Sequence, residues 1–289
     1  MPRKYVPYVL LIPTFVIIGL FIYYPAVMTF QKALYKISPF GNRSFFVGLR
    51  NFENLFNSPS YSQEAFTTLI FVVASIAIGL TISLLFSLLL NEKVPGVGIF
   101  RTIVFSPYAV SPAIAGTLWS FLLNPVVGYV SYTLLRIFGI HSEWLTSYPL
   151  ALIAVMVATI WQNLGFNIIF FLSGLQGIPN SYYEAAKIDG AGAVTRFFKI
   201  TLPLLSPITF YLAIMDVVFT MFASFGIIDI MTQGGPGNTT TTLIYRLYRD
   251  GFIYFNSGMA SAESIVLILV MAVITFIYFK FVQRTVHYR

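Results

Sequence analysis

The sequence has no cysteine, only two histidines and few charged residues, since Asp, Glu, Lys and Arg make up 9% of its 289 residues. The absence of cysteine excludes disulfides, cysteine-based zinc sites and cysteine nucleophiles. Soluble domains carry roughly 25% charged residues. A chain with so few charges cannot cover a water-exposed surface. Because 57% of its residues are hydrophobic, lipid is the expected solvent for most of it.

Patterns typical of catalytic sites are also missing. His141 and His287 are far apart in the sequence, and no pair of carboxylates is placed for acid–base chemistry. No G-x-x-x-x-G-K-[ST] loop is present, so the chain has no recognisable phosphate cradle for ATP. We therefore expect no catalytic residue, no metal site and no cofactor in this chain. The net charge of +7 comes from thinly spread basic residues, which favours lipid head groups over nucleic acid as the partner.

Six hydrophobic runs are long enough to cross a bilayer, which takes roughly 20 apolar residues in a helix. They cover residues 8–31, 64–90, 99–122, 148–175, 204–231 and 261–283. The predicted fold class is an all-α membrane protein with six transmembrane helices, and 1–289 forms a single transmembrane domain. The first run follows Arg3 and Lys4 as in a signal peptide, but it is too long and lacks a small-residue cleavage motif. It is expected to be a retained span.

The distribution of basic residues predicts the orientation. An even number of spans places both termini on one side of the membrane. Assigning that side to the cytoplasm gives it the larger share of the 17 Lys and Arg residues, as the positive-inside rule requires. The protein is therefore expected in the plasma membrane of a bacterium or archaeon, with both termini in the cytoplasm.

Three of the predicted spans contain residues that a packed apolar helix does not need. The fourth carries WQNLGFN, in which Asn163 and Asn167 are four residues apart and share a helix face with each other, next to Gln162. These amides either hydrogen-bond to another helix or recognise hydroxyl groups in a translocation path. The third predicted span contains Pro107 and Pro112, which predict a bend that serves either packing or a pathway.

The fifth predicted span holds Asp216 near its middle, and a charge there costs roughly 2.5–3.5 kcal/mol on insertion scales. Asp216 is therefore expected to face protein or water. It either lines a pathway or pairs with another subunit. Thr220 and Ser224 follow at intervals of four and extend a polar stripe on the same face. These three residues and the amides of the fourth span are the candidates for a translocation path.

Residues 179–203 form the most polar segment between two long apolar runs, predicted at the cytoplasmic face. Ser181 and Glu184 have the spacing of a capping box, which predicts the start of a short helix. Gly190 and Gly192 predict a turn. A second short helix is expected to end at Pro203. The segment therefore predicts a helix-turn-helix.

The order E-A-A, three residues, Gly, nine residues, Ile, one residue, Leu-Pro runs from Glu184 to Pro203. It resembles the signature loop of ABC importer permeases at every fixed position. The resemblance implies a coupling loop that seats in a cleft of a separate ATPase subunit, where Glu184 meets a basic residue. The residues that it assigns to ATPase coupling are Glu184, Ala185, Ala186, Asp189, Gly190, Ile200, Leu202 and Pro203.

The rest of the chain is similar to carbohydrate-type permeases, and most similar to the first permease of glycerol-3-phosphate importers. The segments that carry this likeness are TQGGPGNTTTTLIYRLYRDGF, FVGLRNFENLF, PYAVSPAIAGTLWSFLLNP and the terminal VHYR. The resemblance implies half of the pathway of a binding-protein-dependent importer for glycerol 3-phosphate, glycerophosphodiesters or a small sugar. It also implies three kinds of partner: a second homologous permease, two ATPase subunits that hold ATP and Mg, and an extracytoplasmic solute-binding protein.

An alternative function is a secondary carrier or channel that works alone and uses Asp216 to couple transport to ions. Such a carrier would move solute along an ion gradient without an ATPase. The spans contain amides but no obvious Lys or Arg for an anionic solute, so recognition of its charge is expected in a partner.

Overall fold

The computed structural model describes residues 6–38, 43–91, 96–139 and 143–285. The turn around Pro95, His141 and the terminal VHYR lie outside these residues. The helices are α1 (Val6–Ile18), α2 (Tyr24–Ala33), α3 (Arg50–Phe56), α4 (Pro59–Leu90), α5 (Val97–Phe105), α6 (Pro112–Leu122), α7 (Tyr129–Phe138), α8 (Leu150–Gly177), α9 (Asn180–Ile188), α10 (Ala193–Arg196), α11 (Leu202–Leu204), α12 (Ser206–Val218), α13 (Phe225–Met231), α14 (Leu243–Tyr248) and α15 (Ser257–Thr285). Strands β1 (Tyr35–Ile37) and β2 (Ser44–Phe46) pair in an antiparallel hairpin.

Short turns of a different helical pitch interrupt these α-helices. Four are π-helical, at Gly19–Tyr23, Phe197–Thr201, Phe219–Ala223 and Arg249–Ile253, and one 3-10 turn covers Ser106–Ala109. A π-helical turn holds one residue more than an α-helical turn, so it shifts the face on which later side chains lie. This shift affects two predicted functional segments, described below.

Five helical segments of the described chain are long and apolar enough to cross a membrane. They are Leu10–Ala33, Pro59–Leu90, Leu150–Gly177, Ser206–Ala223 and Ser257–Lys280. Each coincides in large part with one of the predicted spans, so the all-α membrane architecture is confirmed. Large apolar side chains along the first segment are exposed, as expected of a helix whose solvent is lipid.

The predicted third span, 99–122, is not one helix. α5 ends at Phe105, a 3-10 turn follows, and Val110 is extended with ψ 138° before α6 begins. Two causes act together. Pro107 and Pro112 lack a backbone N–H, and Ser111 caps α6 by accepting a hydrogen bond from Ile114 N at 3.4 Å. The expected bend is therefore a break between two short helices.

The chain divides into two compact units, and the first combines Met1–Gln63 with Arg246–Val273. Within it, the buried Asn51 amide holds the end of α2, because its Nδ2 donates to Ala33 O at 2.7 Å and to Tyr35 O at 3.1 Å. Ala33 also packs with Ala262 and Ile265 of α15. These contacts join the hairpin, α3 and the beginning of α15.

The second unit combines Glu64–Tyr245 with Ile274–Arg289. α8 is its central helix and contacts α5, α6, α12 and α13. An apolar cluster packs the end of α8 against the beginning of α12 and contains Phe171, Leu175, Ile178, Leu205 and Leu212. This packing fixes the position of the polar residues that α8 and α12 carry.

Candidate functional site

Asp216 of α12 is buried, with 3% of its surface exposed, and accepts hydrogen bonds from two amides of α8. Asn163 Nδ2 donates to Oδ1 at 2.6 Å, and Asn167 Nδ2 donates to Oδ2 at 2.8 Å. The spacing of four residues puts both amides on one face of α8, as the sequence predicts. Each oxygen of the buried carboxylate thus has a donor from within the same chain, which offsets part of the cost of burial. We call Asn163, Asn167 and Asp216 the amide–carboxylate triad.

A small cavity of about 10 Å³ lies beside the triad, which is enough for one water molecule. Thr220 and Ser75 also line it. Among the described residues, Ser75 Oγ and Asn167 Oδ1 are buried without a hydrogen-bond partner. The triad therefore keeps unused hydrogen-bonding capacity around a space that can hold a polar molecule.

The remaining polar candidates have separate environments. Gln162 Nε2 donates to Val110 O at 2.7 Å, so this amide satisfies a carbonyl that the break after the 3-10 turn leaves outside a helix. Ser224 Oγ donates to Thr220 O at 2.5 Å, within its own helix. The predicted stripe assumed a regular helix, but the π-helical turn Phe219–Ala223 lies between Asp216 and Ser224. Thr220 reaches the cavity beside the triad, whereas Ser224 is not among the residues that line it.

The segment 179–203 forms two short helices joined by a turn at Gly190, as predicted. α9 ends at Ile188, and Gly190 has φ +75°, in the left-handed region that glycine adopts at low cost. Two backbone hydrogen bonds close the turn, from Gly190 N to Lys187 O at 3.0 Å and from Ala191 N to Ala186 O at 2.8 Å. Glu184 and Ala185 lie exposed on α9.

Two details of this segment differ from the prediction. The proposed capping box at Ser181 is wrong, because α9 begins at Asn180 after Pro179, whose extended ψ of 135° precedes the helix, and Ser181 lies inside it. Pro203 does not end the second helix either. Proline is tolerated in the first turn of a helix, and Pro203 lies in α11, which continues to Leu204.

The two helices of the segment are fastened to each other and to the core of the second unit. Tyr183 Oη and Thr201 Oγ1 are 3.0 Å apart, and Thr201 is buried. Tyr183 also packs against the apolar cluster at the base of α12. The opposite side presents exposed apolar residues, including Ile188, which is 87% exposed, and Val194, which is 72% exposed.

The family model of the "Binding-protein-dependent transport system inner membrane component" matches residues 59–287. The chain belongs to this family. It is therefore a permease subunit of a binding-protein-dependent importer, as the coupling-loop pattern predicted, and the ion-coupled carrier is not supported.

Relatives of this permease cover almost the whole chain. The sn-glycerol-3-phosphate transport system permease protein UgpA of Pectobacterium atrosepticum is 39% identical over 286 residues, 99% of this chain and 97% of the relative. UgpA of Agrobacterium fabrum is 39% identical over 287 residues, with 99% and 98% covered. A bacterial ABC transporter involved in the import of the acidic polysaccharide alginate has a chain with a TM-score of 0.86 and 25% identity, covering 99% of this permease and 97% of that chain. The type I permease fold is thus confirmed.

A buried ion pair in the first unit of the permease was missed from the sequence. In the sequence, Glu263 stands near the beginning of the sixth apolar run, 261–283, where the helix dipole would favour a negative charge. It lies instead more than one turn into α15 and is 2% exposed, and Arg246 Nε donates to its Oε1 at 2.7 Å. Arg246 Nη1 also donates to Ser60 Oγ at 3.0 Å. The signal available in the sequence was a carboxylate inside an apolar run, which needs a cationic partner.

Replacing Asp216 of the permease with leucine is expected to leave the Asn163 and Asn167 amides buried without an acceptor, at a cost of about 1–3 kcal/mol each. Replacement with asparagine keeps the shape and one acceptor oxygen. We therefore expect Asp216→Asn to change solute uptake while the permease still copurifies with its partner subunits. Ser224→Ala is the matched control, because that hydroxyl donates to its own helix. Uptake by Asp216→Asn equal to that of the unsubstituted permease contradicts a role for the triad in transport.

Proposed function

We propose that this permease imports a small glycerol phosphate, with glycerophosphodiesters and small sugars as the other substrates to test. The observation that carries the proposal is the 39% identity over nearly the whole chain to permeases named for sn-glycerol-3-phosphate transport. In each comparison almost the whole length of both chains is covered, so the likeness is not confined to one part of the permease. The alginate importer, at 25% identity, is a more distant likeness.

ATP hydrolysis takes place in separate subunits under this proposal. Two ATPase chains hold ATP and Mg, and the segment 179–203 docks on one of them. Three features support this role: Glu184 is exposed, the turn at Gly190 is held by two hydrogen bonds, and Tyr183 ties the segment to the base of α12. Motion of an ATPase would therefore be transmitted to α12 through packed side chains rather than through a mobile linker.

A second homologous permease and an extracytoplasmic solute-binding protein complete the proposed importer. The alginate transporter has been crystallised in complex with an alginate pentasaccharide-bound periplasmic protein. Both termini of this permease lie in the cytoplasm in the proposed orientation, on the same side as the segment 179–203.

The amide–carboxylate triad belongs to the wall of the proposed translocation path. Its three side chains link α8 and α12, so that a movement of α12 also displaces α8. Gln162 extends this coupling to the broken third span through its hydrogen bond to Val110 O. Thr220, in the π-helical turn that follows α12, continues the polar lining, and the cavity beside it offers a place for water during the movement.

Uptake into proteoliposomes tests the proposal. The permease is reconstituted with the second permease and the ATPase of the proposed importer, with ATP inside and the binding protein outside. We expect accumulation of labelled sn-glycerol 3-phosphate that requires ATP and both other subunits. Glycerophosphocholine and maltose, assayed in the same vesicles, rank the alternative substrates. Accumulation by the permease alone along an ion gradient contradicts the ATP-driven mechanism, and uptake of maltose without glycerol phosphate contradicts the substrate.

A further inference from the structure

A polar pocket of about 340 Å³ lies in the first unit. Its size is within the usual range of small-molecule sites, roughly 300–1,000 Å³. Five of the residues that line it carry polar side chains: Lys36, Arg50, Asn51, Asn54 and Asn256. Val47 and Met259 complete the lining. We call this space the hairpin pocket.

Strand alternation explains why Lys36 reaches the hairpin pocket. Neighbouring side chains of a strand point to opposite faces. Tyr35 and Ile37 accordingly line a different pocket, on the other face of the hairpin, together with Lys32. Lys36 is thus presented alone on its face of β1.

Helical spacing places the other polar groups. Arg50 and Asn54 are four residues apart on α3 and share a face. Asn51, which lies between them in the sequence, is fixed by its hydrogen bonds to Ala33 O and Tyr35 O. Asn256 accepts a hydrogen bond from Met259 N at 3.3 Å and so caps α15. Three elements, β1, α3 and the cap of α15, therefore bring cations and amides to one space.

The charge of the hairpin pocket favours an anion that also carries hydroxyl groups. The residues that line it include two cations and no carboxylate, and Glu53 of α3 is not among them. Arg and Lys bind phosphate oxygens through charge-assisted hydrogen bonds. Asparagine amides donate to and accept from hydroxyl groups. A phosphate joined to a polyol satisfies both sets of side chains.

The position of the pocket along the chain places it at the depth of lipid head groups. Lys36 comes three residues after Ala33, where the first membrane-spanning segment ends. Asn256 immediately precedes Ser257, where the last one begins. Lys and Arg side chains directly beyond the hydrocarbon core reach the head-group layer, because their apolar stems lie along apolar surface while the charged group stays at the interface.

We propose that the hairpin pocket binds a glycerophosphoryl anion. Lys36 and Arg50 hold the phosphate, and the amides of Asn54 and Asn256 hold the glycerol hydroxyls. Two sources present this group at the membrane surface: the head group of phosphatidylglycerol and free glycerol phosphate. None of the residues that line the pocket belongs to the triad, and the proposal does not depend on which solute the permease transports.

Binding measurements on the assembled importer test this proposal. Native mass spectrometry measures retention of phosphatidylglycerol against phosphatidylcholine. Nanodiscs of phosphatidylcholine alone measure the binding of labelled sn-glycerol 3-phosphate. The test variant combines Lys36→Gln with Arg50→Gln, since both residues are exposed and neither holds the backbone. We expect the test variant to bind one of the two probes roughly tenfold more weakly than the unsubstituted permease does. This difference should be smaller at high salt, because salt screens the attraction between charges.

The matched control combines Lys32→Gln with Arg43→Gln. It removes the same charge from the same segment, and neither residue lines the hairpin pocket. Weaker retention of phosphatidylglycerol in the test variant alone identifies the head group as the occupant, and weaker binding of glycerol phosphate identifies the free solute. Equal effects of test and control variants overturn the proposal. So does a test variant that loses only its association with the binding protein. Equal thermal unfolding temperatures show that both variants fold.

Discussion

Replacing Gly190 with aspartate is expected to abolish ATP-coupled uptake while the permease still inserts into the membrane. Gly190 has φ +75°, and a side chain in this conformation costs roughly 1–2 kcal/mol. A Cβ at Gly190 meets no atom within 4 Å, so the cost comes from the backbone and the new charge rather than from a clash. If Gly190 relaxes to negative φ, the hydrogen bond from Ala191 N to Ala186 O breaks, and the docking surface changes shape.

Gly192→Asp is the matched control for this substitution. Gly192 has φ −67°, which any residue adopts, and it too has no neighbour within 4 Å of a Cβ. The same charge is thus added two residues away without backbone strain. We expect uptake by Gly190→Asp to fall roughly tenfold below that of Gly192→Asp, since a loss of about 1.4 kcal/mol in docking free energy weakens binding tenfold. Copurification with the ATPase measures docking, and normal coupled uptake by Gly190→Asp refutes the assigned role of the loop.

A valine at Gly165 is expected to prevent the second unit from packing. A Cβ at Gly165 would lie 2.5 Å from Val104 O and 2.7 Å from Phe105 Cα. Both are backbone atoms, so α5 and α8 must separate to admit any side chain. Overpacking of this kind costs about 1–3 kcal/mol for a few added carbons and more where the backbone itself must shift. Separation of these helices also strains the hydrogen bond from Gln162 to Val110 O.

Gly79→Ala provides the comparison for Gly165. Gly79 also lies in a membrane-spanning helix, but a Cβ there would meet Ile160 side-chain atoms at 3.8 and 3.9 Å, an ordinary contact. We expect Gly79→Ala to unfold at a temperature close to that of the unsubstituted permease in detergent. Gly165→Ala should unfold at a clearly lower temperature, and Gly165→Val should yield little folded protein. Equal thermal stability of all three variants contradicts the close approach of α5 and α8.

The sequence was sufficient for the features that depend on local period and composition. Apolar runs located the spans because lipid selects for length and hydrophobicity alone. The i, i+4 spacing of Asn163 and Asn167 predicted their common face, and a lone carboxylate in a span predicted that Asp216 needs a partner. The partner itself required the packing of α8 against α12, 49 and 53 residues apart along the chain.

Features that depend on long-range packing or on departures from regular helices were not predictable in this way. The pairing of Arg246 with Glu263 crosses a loop, and no periodicity relates the two residues. The hairpin pocket combines a strand, a short helix and the cap of α15, which lie far apart in the sequence. Regular helical spacing predicted that Ser224 lies on the same face as Asp216. Because of the π-helical turn between them, Ser224 does not line the cavity beside Asp216. The prediction of a capping box at Ser181 was wrong because the extended segment ends at Pro179, two residues before Ser181.

The π-helical turn Phe197–Thr201 lies within the coupling pattern and changes the rotation of the helix before it relative to the helix after it. Leu202 N donates to Phe197 O, five residues back, so this turn accommodates one residue more than a regular helix would. Each residue of an α-helix advances the chain by about 100° around the axis. Deleting one residue of this turn would return it to a regular helix and rotate α10 by that angle relative to α11. The extra residue therefore sets the direction in which the helices before the turn, including the proposed docking helix α9, point relative to the span that follows it.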